Sequence, residues 1–149
     1  MLSQRAKYAL RAMIFLASHG EEGPVSVTAL ARDTKIPRPF LEQIFAELRR
    51  HNLVLGHRGK QGGFLLARPP KDISFADVIR HIDGPLALAP CASRTAFRPC
   101  DECVDVDDCP LRPALIAARD ASANVLEGTS LADCIKGAGS RKMRAIKIF

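Results

Sequence analysis

The order of elements in residues 26–69 constrains this chain more than any other feature. Ser26 is placed to cap a short helix, "VTALARDT", whose Val27, Leu30 and Ala31 face inward. A connection of three or four residues, around Thr34–Ile36, leads into "PRPFLEQIFAELRRHN". Pro37 and Pro39 suit a helix start, where a missing N–H costs little. Behind them Phe40, Leu41, Ile44, Phe45 and Leu48 form an apolar stripe, with Arg38, Glu42, Gln43, Arg49 and Arg50 outside. In "LVLGHRGKQGGFLLARP" two short apolar runs flank a five-residue glycine-rich loop, which predicts a β-hairpin. Short helix, tight turn, second helix and hairpin make a winged helix-turn-helix in a mainly α fold.

The flanking sequence completes that plan. "AKYALRAMIFLASHG" places Ala6, Leu10, Met13, Ile14 and Ala17 on one helical face and Lys7 and Arg11 on the other, and "GEEGP" ends it. "SFADVIRHIDG" predicts a short helix stopped by Gly84. "PLRPALIAARDASANVLEG" predicts a long C-terminal helix, with Leu111, Leu115, Ala118, Ser122 and Val125 spaced by three or four. "TSLADCIKG" adds a last turn or two before the basic tail "SRKMRAIKIF". The expected division is a winged helix-turn-helix unit over 1–84, a cysteine-rich loop over 85–109, a long-helix region over 110–136 and a flexible tail over 137–149.

Charge is distributed unevenly. Residues 1–72 carry 12 Lys/Arg against 6 Asp/Glu, whereas residues 73–149 carry 10 of each. A basic first half beside a neutral second half points to a polyanion such as nucleic acid. The start of the second helix of such a motif reaches base edges in the major groove. Here it presents Arg38, Pro39, Phe40, Glu42 and Gln43. Gln can pair with adenine, Glu can accept from the cytosine amino group, and Arg can grip guanine or a phosphate. In the hairpin loop Arg58, Lys60 and Gln61 lie among Gly59, Gly62 and Gly63, which allow close approach to a duplex. The blander readings are an exposed ion pair of Glu42 with Arg38 or Arg49, and an ordinary turn cation at Arg58.

No apolar run approaches a membrane span, and Ala12–Ala17 is too short for a signal segment. A cytoplasmic protein is expected, with reduced thiols. No nucleophile–base constellation or phosphate-binding loop suggests an enzyme.

Four of the five cysteines crowd into "CASRTAFRPCDECVDVDDCP": Cys91, Cys100, Cys103 and Cys109, spaced C-x8-C-x2-C-x5-C. A reducing compartment and an odd cysteine count argue against a disulfide knot. Zinc and an iron–sulfur cluster both accept four thiolates, and a metal-free thiol switch is the third possibility. Asp101, Glu102, Asp105, Asp107 and Asp108 are read as solvating and shaping the loop, and Cys134 as a small packed residue. His57 and His81 have no partner pattern and default to surface or structural roles.

"KYALRAM", "ALARDTKIPRPFLEQIFAELRRHNLV" and "RGKQGGFLLARPPKDISFADVIRHIDG" together resemble the Rrf2 superfamily of bacterial transcription regulators, the IscR-, NsrR-, RirA- and CymR-like proteins, over about residues 1–135. The resemblance implies a homodimer on a palindromic operator in double-stranded DNA, with the long C-terminal helix crossing to the partner. It also implies a repressor controlled by an iron–sulfur cluster that senses iron, redox or nitric oxide status, [2Fe–2S] ahead of [4Fe–4S]. Three cysteines before the dimerisation helix hold the cluster in such relatives, with five residues between the last two, as between Cys103 and Cys109. Cys91 falls where the first is expected; Cys100 is an extra thiol. Relatives add a histidine three residues after the last cysteine, or an acid near the partner's N-terminus. This chain has Arg112 at the first place and Lys7–Tyr8 around the second, so Cys100 is the expected fourth ligand. The rivals are a zinc-bound or cluster-free thiol sensor and a small iron–sulfur electron-transfer protein.

Overall fold

The computed structural model describes residues 2–59, 62–101, 103 and 105–139. Helix α1, Gln4–His19, starts two residues before the sequence pattern suggests, because the Ser3 side chain accepts from the Ala6 amide at 3.0 Å and supplies its cap. The same serine hydroxyl reaches Asp83, tying the first helix to the stretch just before Gly84. The buried face of α1 comprises Ala6, Ala9, Leu10, Ala12, Met13 and Leu16; Ile14 and Ala17 lie at its half-buried edge.

Helix α2, Val27–Thr34, is capped by Ser26, whose hydroxyl accepts from the Ala29 amide at 3.1 Å. Lys35 ends α2 in the left-handed region at φ 57°, and Ile36 behind it is 1% exposed, which anchors the turn. Arg11 of α1 donates to the Thr34 carbonyl at the same corner. Helix α3, Arg38–Arg50, comes directly after the turn and buries Leu41, Ile44, Phe45 and Leu48 completely. Burying four large apolar side chains at roughly 1.5–3 kcal/mol each dominates the placement of this helix.

Strands β1, Val54–His57, and β2, Gly63–Leu66, pair antiparallel with Val54 opposite Leu66 and His57 opposite Gly63, so the expected hairpin forms. A third strand position was not evident from the sequence. Val25 exchanges two backbone hydrogen bonds with Phe64, at 3.0 and 2.8 Å, and closes the wing onto the segment before α2. Phe64 also stacks on Phe45 with ring centroids 4.4 Å apart, so the wing and α3 share one core contact.

Helix α4, Phe75–Asp83, begins with a reciprocal capping box between Ser74 and Asp77. Helix α5, Arg112–Glu127, starts two residues after Pro110, and α6, Leu131–Gly139, is longer than the turn or two expected. The signal for α6 is local: the Asp133 carboxylate accepts from the Ser130 amide at 2.9 Å, and the Ser130 hydroxyl accepts from the Asp133 amide at 3.2 Å. Leu131 is fully buried in the core with α1, α3 and α4, so α6 returns to the N-terminal unit. The tail beyond residue 139 lies outside the described residues.

His81 of α4 stacks on His51, which caps α3, with ring centroids 4.0 Å apart. Burial holds the His81 pKa below the ordinary imidazole value, assisted by His51 and Arg68 and opposed by Asp77 and Glu47. The unfolded chain therefore takes up this proton more readily, and stability falls as pH drops through the ordinary histidine range. His81→Phe keeps the stack without the charge. Its melting temperature is expected to fall less than the wild type's between about pH 7 and about pH 5. Equal falls in thermal melts of the two proteins would remove His81 from that acid sensitivity.

Candidate functional site

Two groups of sequence-predicted residues are brought together by the fold. The first is the exposed start of α3 beside the wing. Arg38, Pro39, Phe40, Glu42 and Gln43 are all exposed on the first turns. Arg38 Nε donates to Glu42 Oε1 at 2.7 Å, one helical turn away. The exposed ion pair thus exists, and at this accessibility contributes only ~0–1 kcal/mol to stability. Phe40 departs from the apolar stripe in which its spacing places it. Its ring is 50% exposed and stands edge-on to Tyr8, at 5.9 Å between centroids. Tyr8 carries no sequence signal for this supporting role beyond its proximity to Lys7.

Arg58 is exposed at the wing tip, next to Gly59 at φ 116°, a conformation that favours glycine. Lys60 and Gln61 lie outside the described residues. Gly63 is required by close approach: a Cβ there would lie 2.3 Å from the Val25 carbonyl oxygen.

The second group is the cysteine loop between α4 and α5. The turn Pro90–Ala92 buries Cys91, and the Ser93 hydroxyl accepts from the Ala96 amide at 3.0 Å, which fixes the next bend of the loop. Cys100 comes back to Cys91, with Sγ–Sγ 3.7 Å. The Cys103 amide donates to the Cys100 carbonyl at 3.1 Å, closing the C-x2-C segment as a turn. Cys109 lies three residues before α5, its carbonyl accepting from the Arg112 amide at 3.3 Å. The hydrogen bond to Cys91 is the main cause that raises the Cys100 pKa; burial, followed by the nearby Cys109 and Cys91, raises that of Cys103.

The Cys100 and Cys103 thiols are thus both disfavoured as free thiolates by their thiol neighbours, a setting that suits a soft acceptor. Among the described residues the Cys91 and Cys100 thiols meet, and no three His, Cys, Asp or Glu groups are drawn into one coordination shell. Asp105 shapes the loop, its carboxylate accepting from the Asp107 amide at 2.8 Å and its carbonyl from the Cys103 thiol at 3.3 Å. Asp101 and Asp108 are exposed, and Glu102 lies outside the described residues. Cys134, on α6, is half-buried and apart from the loop.

Sequence reasoning missed that Arg112 and Arg119 grip this loop. Arg112 Nε donates to the Cys91 carbonyl at 3.3 Å, and Arg119 donates to that of Ala92. Their spacing of seven residues on one helix was the only signal.

Winged helix, cysteine loop and long helix in this order prompt comparison with known proteins. The profile of the Rrf2 family, described as iron-dependent transcriptional regulators, matches residues 2–137. The chain belongs to the Rrf2 family. This Rrf2 protein is 40% identical over 115 residues to an rrf2-like HTH-type transcriptional regulator of Rhodobacter capsulatus, covering 75% of this chain and 77% of that one. Among solved structures it resembles CymR, the global cysteine regulator of B. subtilis, with TM-score 0.75 and 30% identity over 92% of this chain and 97% of the other. It resembles IscR of T. potens with TM-score 0.73 and 32% identity, over 96% and 91% of the two chains. It is accordingly a DNA-binding transcriptional regulator with the Rrf2 winged-helix fold. None of its described helices is long and apolar enough to cross a membrane.

Proposed function

We propose that this Rrf2 protein is a homodimeric repressor of a palindromic operator, controlled by an iron–sulfur cluster on Cys91, Cys100, Cys103 and Cys109, with [2Fe–2S] ahead of [4Fe–4S]. The observation that carries this reading is the meeting of Cys91 and Cys100 at 3.7 Å in a loop whose last thiol adjoins the first turn of α5. Four cysteine donors are a sufficient set for either cluster. When bound, such a cluster supplies ligation that responds to iron supply, oxidant or nitric oxide.

The chain's own residues would convert that response into DNA affinity. Cys91, Cys100, Cys103 and Cys109 would hold the cluster, and their shared ligation would tie the loop from Cys91 to Cys109 to α5. The outer face of α5 and its cap carries Leu111, at the cap, and Val125, 68% and 67% exposed, with Leu115 and Ala118 half-buried between them. An apolar stripe so open suits a second copy of this helix across a two-fold axis. The pose of α5 would then set the spacing of two α3 helices on half-sites about one DNA turn apart. At each half-site, Arg38 keeps terminal guanidinium donors for guanine while Glu42 keeps a carboxylate oxygen for the cytosine amino group. These acceptors and donors lie side by side on a G·C pair.

The first test is anaerobic purification with ample iron, followed by iron, sulfide and zinc analysis and an operator titration. Iron and sulfide in equal amounts with altered operator affinity on cluster loss are expected; stoichiometric zinc without sulfide would sink the cluster. In the same titrations Arg58→Ala should weaken binding to most sequences and reduce the salt slope by about one. Glu42→Ala and Gln43→Ala should each change base preference by roughly 1–3 kcal/mol at particular positions. Binding-site selection returning one motif from the wild type and from both the Glu42 and Gln43 variants would make those two side chains scaffold only.

A second reading is a thiol switch, favoured by the same 3.7 Å contact, since Cys91 and Cys100 need only a small shift to join. Under it the protein carries neither iron nor sulfide, and operator affinity tracks oxidation of that pair.

A further inference from the structure

Arg112 and Arg119 stand seven residues apart on α5, so their side chains leave the helix on one face. Both reach back to the turn that carries the first cysteine. Arg112 Nε donates to the Cys91 carbonyl at 3.3 Å, and Arg119 donates to the next carbonyl, that of Ala92. Two guanidinium groups from one helix thus hold two consecutive carbonyls of one turn.

Neither arginine behaves as a surface cation. Their side chains are only 29% and 12% exposed. Each has a further hold. Arg112 lies over the Phe97 ring at 5.8 Å and pairs with Asp107 at 3.4 Å. Arg119 pairs with Asp120 at 2.7 Å, and Asp120 also takes Arg94 at 2.8 Å. Withdrawing a guanidinium from water is costly unless its donors are used, so packing alone would favour an apolar residue at either place. The held turn is correspondingly closed: Cys91, Ala92 and Ser93 are 4%, 1% and 7% exposed, whereas Cys100 is open to solvent.

We propose that Arg112 and Arg119 are positioning residues for Cys91, fixing its thiol against α5 so that the turn and the helix move as one body. A planar fork of donors suits this task, and the single ammonium of lysine does not. The proposal deepens the sensor reading, since whatever happens at Cys91 would be felt by α5. The clamp itself is nevertheless a property of the metal-free chain.

The test uses reduced, metal-free, full-length protein and tracks N-ethylmaleimide alkylation of each cysteine by mass spectrometry. Arg112→Ala and Arg119→Ala should each speed alkylation of Cys91 by about tenfold, the scale on which losing a charge-assisted hydrogen bond favours local opening. Cys134, half-buried on α6, serves as the control and should keep its wild-type rate. Arg112→Lys and Arg119→Lys, which keep the charge without the fork, should fall between, and they replace any alanine variant that does not fold. Cys91 reacting at the wild-type rate in every variant overturns the proposal. So does parallel acceleration of Cys91 and Cys134, which reports general loosening. Because no iron is present, an incorrect cluster assignment leaves this result unchanged.

Discussion

Serine at Cys91, Cys103 or Cys109 is expected to abolish the brown colour and visible absorption of anaerobically purified protein, together with nearly all of its iron and sulfide. Serine is a harder and less readily ionised donor than cysteine, so each change would remove one strong bond from the proposed four-thiolate centre. Helix content should persist, because the fully buried side chains, including Phe45, Met13 and Leu131, lie on helices outside this loop. Cys134→Ser should keep the full complement, since Cys134 belongs to α6. Cys100→Ser is the deciding variant. As the fourth ligand, Cys100 should on replacement leave the protein colourless or sharply more sensitive to oxygen. Iron, sulfide and oxygen stability matching wild type would make Cys100 a bystander, despite its 3.7 Å approach to Cys91.

How far the sequence reveals such a molecule depends on whether the signal is periodic and local. The stripe Leu41, Ile44, Phe45 and Leu48 repeats with the helix, and all four positions are fully buried. Phe40 passes the same pattern test yet is half exposed, because it sits on the first turn where α3 leaves the core. The hairpin was legible from two apolar runs and a glycine loop. The bridge from Val25 to Phe64 was not, since a single paired residue has no period. On α5 apolar spacing picked out Leu111, Ser122 and Val125, all of which face solvent. The face turned toward the rest of the chain is marked by Arg112, Arg119 and the buried Ala123, and the two arginines reach loop carbonyls 21 and 27 residues earlier, those of Cys91 and Ala92. The seven-residue spacing of the two arginines shows that they share a face, while the carbonyls they reach leave no trace in the sequence. For the cysteine site the spacing showed which thiols share a loop, while the approach of Cys100 to Cys91 needed the fold.

Gly63→Ala is expected to damage operator binding more than any change at an exposed base-reading side chain, although it removes no contact with DNA. The added Cβ would stand 2.3 Å from the Val25 carbonyl oxygen and 2.4 Å from its carbon, both backbone atoms that cannot swing aside. Strand β2 must then peel away from Val25, giving up the two hydrogen bonds between Val25 and Phe64. Two such bonds are worth about 2 kcal/mol in net stability, a sizeable part of the roughly 5–15 kcal/mol that holds a domain folded. The movement also drags Phe64 off Phe45, so the wing and α3 lose their common anchor. DNA affinity should fall by more than about tenfold, because a rigid two-element surface meets the duplex in one pose only when its parts are preorganised. Gly20→Ala supplies the control, since a Cβ there meets nothing within 4 Å and the backbone is already helical at φ −63°. That variant should melt at or slightly above the wild-type temperature and bind the operator equally well. Wild-type melting and wild-type affinity for Gly63→Ala would show that the wing tolerates separation from Val25, and that its pose is set by the hairpin alone.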